Sequence, residues 1–407
     1  MLKKIGKDEL FKGSLILFIM INIFNLLNYI FQFSMARMLT PSDYGVLAVL
    51  MSIVYIFTVP SEAIQNIVSK YTSKFNINKD FGKMKFMFRR GFKKSLFFAF
   101  VSFVVFFIAC FFLSSFLKID IVLLWTTGIF IFLMFLLPIF RGVMQGRKKF
   151  YALGWNMILE GLVKVILAIT LVFIGLKVYG AIVAVIFGSF IALVFSINSI
   201  KEIRNAKEKR TNFTGYFSYS IPYFIVVLVV VLMYSLDIIV ARRFFSPELV
   251  GNYAVLSFLG KIIFFGTFAL SKAMFSVVSE KYEKGKKTVS SLKKSLKLTG
   301  VICFFILILY FFFSKSIINI FFGSKYIGFS NLLVFVGLAY ALLSFTNILL
   351  LYGLTTNKIN KNAYFLLLFV ILQLVLFYLM HSSLLAYAIS LIISNIIFFI
   401  YSLFLIR

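Results

Sequence analysis

Long apolar runs alternate with short polar segments along the whole chain. The runs cover Ser14 to Ala36, then about Gly45 to Ser69, Ser95 to Leu117, Ile121 to Phe140, Leu153 to Leu176 and Tyr179 to Ile200. Six more follow at about Ser220 to Ala241, Val250 to Ser279, Leu296 to Phe313, Ile327 to Tyr352, Ala363 to Met380 and Leu384 to Ile406. Each is close to the roughly 20 residues that a helix needs to cross a bilayer core. The pattern predicts an all-α, polytopic membrane protein with twelve transmembrane helices. Ser34-Met35-Ala36 looks superficially like a signal-peptide cleavage site, but the run before it is too long for a signal core, so it reads as an uncleaved first span.

The same pattern is written twice. Pro41 and Pro247, Gly45 and Gly251, Ala48 and Ala254, Val49 and Val255, and Leu50 and Leu256 are all 206 residues apart, about half of the 407-residue chain. In each copy an apolar run ends at arginine, a short turn carries proline and an acid, and the next run begins at glycine. Lys93-Lys94-Ser95-Leu96 also recurs as Lys293-Lys294-Ser295-Leu296, although basic Leu/Ser-rich sequence is a weaker marker. A duplicated six-helix unit explains these matches. The polar stretch Lys201 to Arg210, with Thr211 to Ser218, is the expected linker between lobes 1–205 and 206–407.

Composition agrees with a membrane class: 62% of residues are hydrophobic and 14% charged, and mean hydropathy is +1.04. A soluble domain of this composition has too little polar surface to cover itself. The formal charge of +29 would suggest nucleic acid for a soluble chain. Its placement argues otherwise. Of 42 Lys and Arg residues, seven fall on one set of alternate connections: Arg37, Lys118, Lys177, Arg242, Arg243, Lys315 and Lys325. Three, Lys164, Lys261 and Lys272, lie within spans, and the remaining 32 lie on the other set or at the termini. Positive-inside bias then places both termini in the cytoplasm, in the cell membrane, with no nucleic-acid partner.

Little points to catalysis. Cys110 and Cys303 both sit in apolar runs, which argues against disulfides and thiolate metal sites. No phosphate-binding loop, zinc-protease or serine-elbow motif occurs, and the outside loops are too short to hold a polymerase or glycosyltransferase site. His381, the single histidine, reads as an interfacial residue at an outside turn. Neither an enzyme nor a cofactor is expected.

The turn Ala36-Arg37-Met38-Leu39-Thr40-Pro41-Ser42-Asp43-Tyr44-Gly45, the stretches Leu236 to Ala241 and Pro247 to Tyr253, and Phe321-Phe322-Gly323-Ser324-Lys325-Tyr326 resemble the multidrug/oligosaccharidyl-lipid/polysaccharide exporter superfamily. The resemblance is greatest to its polysaccharide-biosynthesis flippases and extends over essentially the whole chain; lipid II flippases usually add two spans that this chain lacks. It implies two six-helix lobes around a cavity lined by spans one, two, seven and eight, opening alternately to each side. It also implies polyprenyl-diphosphate-linked sugars as substrates, with glycosyltransferases and a polysaccharide polymerase as partners beside the lipid bilayer. The alternatives are a cation-coupled small-molecule or multidrug exporter of the superfamily, a lipid II-type flippase, and a scaffold that transports nothing.

The residues supply candidates for such a site. Asn22, Asn25, Asn28 and Gln32 fall within about 120° on the first helix, either facing a polar cavity or joining helices. Glu62, with Gln65, Asn66 and Ser69 on its face, and Asp237 are acids within spans. Each is read as a coupling-ion site or as a structural pair, Asp237 with Arg37, Arg242 or Arg243. Lys164 and Lys261 lie about 15 Å into their spans, too deep for easy snorkelling. Glu160, one turn before Lys164, is its alternative partner. Lys261 has no acid within four residues on its helix, so it is read either as the principal contact for a diphosphate, with Lys272 and Arg37 completing a ladder, or as the partner of an acid on another span.

Overall fold

In the computed structural model, residues 2–211, 221–359 and 361–406 are described. Residues 212–220, which hold the rest of the expected linker to Ser218 and the expected start of the seventh span at Ser220, lie outside them. Every regular element among the described residues is helical. Among the described residues, ten stretches are long and apolar enough to cross a membrane. One of them, Phe150–Ser199, is two helices joined by a turn, and the shorter apolar helix Ala363–Leu379 completes the twelve.

The first six are α1 (Leu2–Met38), α2 (Pro41–Asn76), α3 (Phe81–Leu117), α4 (Ile121–Gly146), α5 (Phe150–Leu171) and α6 (Lys177–Ser199). A short helix, Lys201–Asn205, follows. The last six are α7 (Ile221–Phe244), α8 (Pro247–Glu283), α9 (Val289–Phe321), α10 (Ser324–Thr355), α11 (Ala363–Leu379) and α12 (Leu384–Leu405).

Local chemistry sets the breaks. Asp80, Asp120 and Ser383 cap the starts of α3, α4 and α12, their side chains accepting from the backbone N–H of Lys83, Val122 and Ala386. α3 ends on Lys118 in the left-handed region at φ 52°. α5 turns into α6 through Gly175 at φ 97°, where only glycine is unstrained. α2 is interrupted at Thr58, because Pro60 just beyond it has no N–H to continue the ladder.

The chain divides into two compact units, 1–39 with 57–216 and 40–56 with 217–407. In the first, α1 lies on α5, α5 on α6 and the second half of α2 on α4. Its core near the basic loops gathers Val68, Met84, Ile139, Val143 and Ile203. In the second, α8 and α12 both lie on α10, and α7 lies on α11. Met274, Val278, Ile348 and Leu349 pack there.

The most apolar surfaces face outward. Phe97, Val105 and Phe112 on α3, and Phe304, Phe311 and Phe312 on α9, are each more than 60% exposed. In water such continuous apolar faces would drive association. In a bilayer they are solvated, and the protein is a multi-pass membrane protein.

Candidate functional site

In the first unit, helix packing delivers a buried ammonium. Gly154 and Gly161 lie seven residues apart on α5 and receive Met20 and Leu27 of α1. A Cβ on Gly154 would meet Met20 Sδ at 2.2 Å, and one on Gly161 would meet Leu27 Cδ1 at 2.8 Å. This close approach brings Asn28 of α1 to Lys164 of α5. The Lys164 ammonium donates to Asn28 Oδ1, and lies 5.1 Å from the Phe31 ring centre and 5.8 Å from that of Phe24. Asn28 in turn donates through Nδ2 to the Phe24 carbonyl at 3.0 Å.

Glu160, one turn earlier, is committed elsewhere. One carboxylate oxygen accepts from Arg141 Nη2 at 2.5 Å and the other from Ser189 Oγ at 2.5 Å. Arg141 Nε donates to Asn156 Oδ1 at 2.9 Å, and Asn156 Nδ2 to the Ala192 carbonyl at 2.6 Å. The expected Glu160–Lys164 pair is therefore replaced by Glu160–Arg141. Among the described residues, no carboxylate oxygen lies within 4.0 Å of Lys164. Its direct contacts are an amide and two aromatic faces, while the Glu160 charge acts on it from beyond ion-pair distance. Arg141, which hydropathy places in a loop, belongs to this network. Its sequence signal is the polar stripe Asn156, Glu160, Lys164, one residue per turn along an otherwise apolar helix.

A second stripe with the same spacing, Tyr253, Ser257 and Lys261, runs along α8. It meets Asp237 of α7, which is fully buried. Asp237 Oδ2 accepts from Ser257 Oγ at 2.6 Å, Tyr340 Oη at 2.8 Å and Tyr253 Oη at 3.4 Å. Lys261 Nζ lies 3.7 Å from Oδ1. Tyr387 clamps the backbone, donating to the Asp237 carbonyl at 2.6 Å. Of the two readings of Lys261, the structure has the pairing with an acid on another span, Asp237 of α7. One expectation is corrected: the described partners of Asp237 are Lys261, Ser257, Tyr253 and Tyr340 rather than arginines.

The other candidates are dispersed. Gln32 is buried, Glu62 half-buried, and Asn25 and Arg37 exposed. Gln65, on the Glu62 face, donates to Gln145 Oε1 at 3.0 Å. Lys272 is exposed, with its ammonium 4.6 Å from the Phe268 ring centre. His381 is half-buried and stacks on Phe244 at 4.2 Å.

Comparison with known proteins places this architecture. A multidrug resistance MATE family transporter of the MOP superfamily, in its inward-facing conformation, superposes with a TM-score of 0.77 at 12% identity, covering 94% of both chains. An outward-facing structure of such a transporter gives 0.63 at 14% identity, covering 98% of this chain and 94% of that one. A MOP superfamily transporter from Pyrococcus furiosus, described as having a binding pocket of reverse polarity that suggests a different function, gives 0.53 at 14% identity, covering 98% and 96%. These likenesses show the fold. No curated protein matches the chain. The family described as polysaccharide biosynthesis protein matches residues 34–331, well over half of the sequence. On that match, and with a fold like that of the MATE transporters beneath it, the chain belongs to the polysaccharide biosynthesis protein family.

Proposed function

We propose that this protein carries a polyprenyl-diphosphate-linked oligosaccharide, a polysaccharide repeat unit, across the cell membrane by alternating access, without enzymatic chemistry. The observation that carries this reading is Lys164. A buried cation whose neighbouring carboxylate already serves Arg141 is a site that an incoming anion satisfies, and a diphosphate supplies that anion. Asn28 holds the ammonium, and Asn25, Gln32 and Arg37 continue the polar residues along α1 toward sugar and phosphate.

Lys261 takes a smaller part than its isolation on α8 suggests. With Asp237, Ser257 and Tyr340 it forms a latch that joins α7, α8 and α10. Glu62 is the candidate for coupling to a proton or cation. A fold-mate described as having a pocket of reversed polarity and a different function is the precedent for letting pocket charge indicate substrate class. A cationic first unit favours an anionic lipid over the cationic drugs of a small-molecule exporter. Positive-inside bias puts the basic loops and both termini in the cytoplasm, where glycosyltransferases would load the carrier and a polymerase would receive it on the far side.

The test is deletion followed by analysis of lipid-linked sugars. Accumulation of the repeat unit on the cytoplasmic leaflet, reversed by the wild-type gene and not by Lys164→Gln, supports the reading. Unchanged lipid-linked sugars together with lost resistance to a cationic drug would replace it with the exporter.

A further inference from the structure

The chain between the two repeats lies across the start of α3. Lys85 Nζ donates to the Ala206 carbonyl at 2.8 Å, the Lys209 N–H to the Gly82 carbonyl at 3.2 Å, and Arg89 pairs with Glu208 at 3.0 Å. A cavity of about 790 Å³ opens between this strap and the helix, lined by Phe86, Arg89, Arg90, Lys93, Glu208 and Arg210, with Thr211 at its edge. Four cations face one carboxylate, a net lining charge of +3, and the one carboxylate is already engaged by Arg89. Among the described residues, Arg90, Lys93 and Arg210 make no hydrogen bond or ion pair. The cavity is thus built to accept an anion.

The helix below it says which kind. Phe86, Arg90, Lys93, Phe97, Phe100 and Val104 follow one another at intervals of four and three, so they form a single stripe on α3. Beyond Lys93 the stripe is apolar and outward-facing, with Phe97 63%, Phe100 57% and Val104 38% exposed. From Lys93 to Val104 it runs about 16 Å, close to the depth of one leaflet's hydrocarbon. A free phosphate would use the cavity and ignore the stripe, whereas a phospholipid uses both.

We propose that this cavity is a binding site for the phosphate headgroup of an anionic phospholipid whose acyl chain lies along the Phe97–Phe100–Val104 stripe. The bound headgroup bridges α3 and the connection between the repeats.

The test titrates the purified full-length protein with phosphatidylglycerol, phosphatidylcholine and inorganic phosphate, and reads bound lipid by native mass spectrometry. Arg90→Gln and Lys93→Gln should each weaken phosphatidylglycerol binding about fivefold, the scale of one basic residue at a membrane surface. Glu208→Gln should tighten it, because the competing carboxylate is gone. Phosphatidylcholine binding should not change, nor should phosphatidylglycerol binding in the control Lys286→Gln/Lys287→Gln, which removes charge far along the sequence. Equal weakening in that control, or unchanged binding in the cavity variants, would overturn the site. Displacement of phosphatidylglycerol by inorganic phosphate at matched concentration would reassign it to free phosphate. If either lysine or arginine variant fails to fold, the opposite sign expected of Glu208→Gln still decides the matter.

Discussion

Gly45 and Gly251, equivalent positions in the two repeats, pack against each other. A Cβ on Gly45 would lie 2.9 Å from the Gly251 nitrogen and 3.3 Å from the Pro247 carbonyl oxygen; one on Gly251 would lie 1.9 Å from the Pro41 carbonyl oxygen. Each glycine thus faces the proline turn of the other copy, as equivalent patches do across a two-fold axis. The obstacle in each case is backbone, which yields less readily than a side chain. Gly251→Ala should therefore lower the melting temperature and folded yield more than Gly45→Ala, with leucine at either position worse still, since overpacking of this kind costs about 1–3 kcal/mol. Thermal unfolding followed by fluorescence-detected size exclusion gives the ranking. Wild-type stability in Gly251→Leu would show that the repeated turn is only a connection.

Asp237 and Lys261 offer a double-mutant cycle. Asp237→Asn leaves a buried ammonium without its carboxylate, and Lys261→Gln leaves a buried carboxylate held by hydroxyls alone; breaking a buried pair from one side costs about 3–5 kcal/mol. The double variant removes both charges and should be more stable than the sum of the singles predicts, by about 1 kcal/mol or more. Strict additivity in melting temperature would mean that the 3.7 Å pair contributes no coupling.

Much of this fold is legible in the sequence because a bilayer punishes exposed backbone polarity so heavily that each span declares itself as an apolar run. The turns at Lys118 to Asp120 and near Lys177 and the repeated Pro-Gly hairpin fall where hydropathy and turn residues place them. Pairing between helices is another matter. Lys261 offers no acid within reach on its own helix, and nothing in the one-dimensional pattern says that Asp237, 24 residues earlier, lies across from it. Arg141 looks like a loop residue because it ends an apolar run, yet it takes the carboxylate that simple i, i+4 reasoning gives to Lys164. The fourfold spacing of Asn156, Glu160 and Lys164, and of Tyr253, Ser257 and Lys261, marked both networks, but a stripe names a face and not its partners.

Topology can be checked with single cysteines. Asn78 and Ser246 are exposed in connections on opposite sides of the expected arrangement, and the native Cys110 and Cys303 are buried and replaceable by alanine. In intact cells Ser246→Cys should react with a membrane-impermeant maleimide, and Asn78→Cys only after permeabilisation. Reaction of both from outside would reverse or break the positive-inside assignment.

Lys164 and Glu160 separate a substrate contact from a structural pair within one turn of helix. Glu160 holds Arg141 and Ser189, so Glu160→Gln strands a partly buried guanidinium and should cost about 3 kcal/mol, seen as lost monodisperse protein whatever the substrate. Among the described residues, Lys164 directly contacts Asn28 and two ring faces, with the Glu160 charge one turn away already held by Arg141. Lys164→Gln keeps a donor for the Asn28 oxygen and removes a desolvated charge, so the folded yield and melting temperature should equal or exceed wild type. Transport should nevertheless fall at least tenfold, because a charge-assisted contact with phosphate contributes more than about 1.4 kcal/mol. The readout is the repeat unit accumulated on its lipid carrier, measured beside protein abundance. A well-folded Lys164→Gln protein that moves the lipid at the wild-type rate would remove Lys164 from the substrate path and leave the first unit's charges as structural.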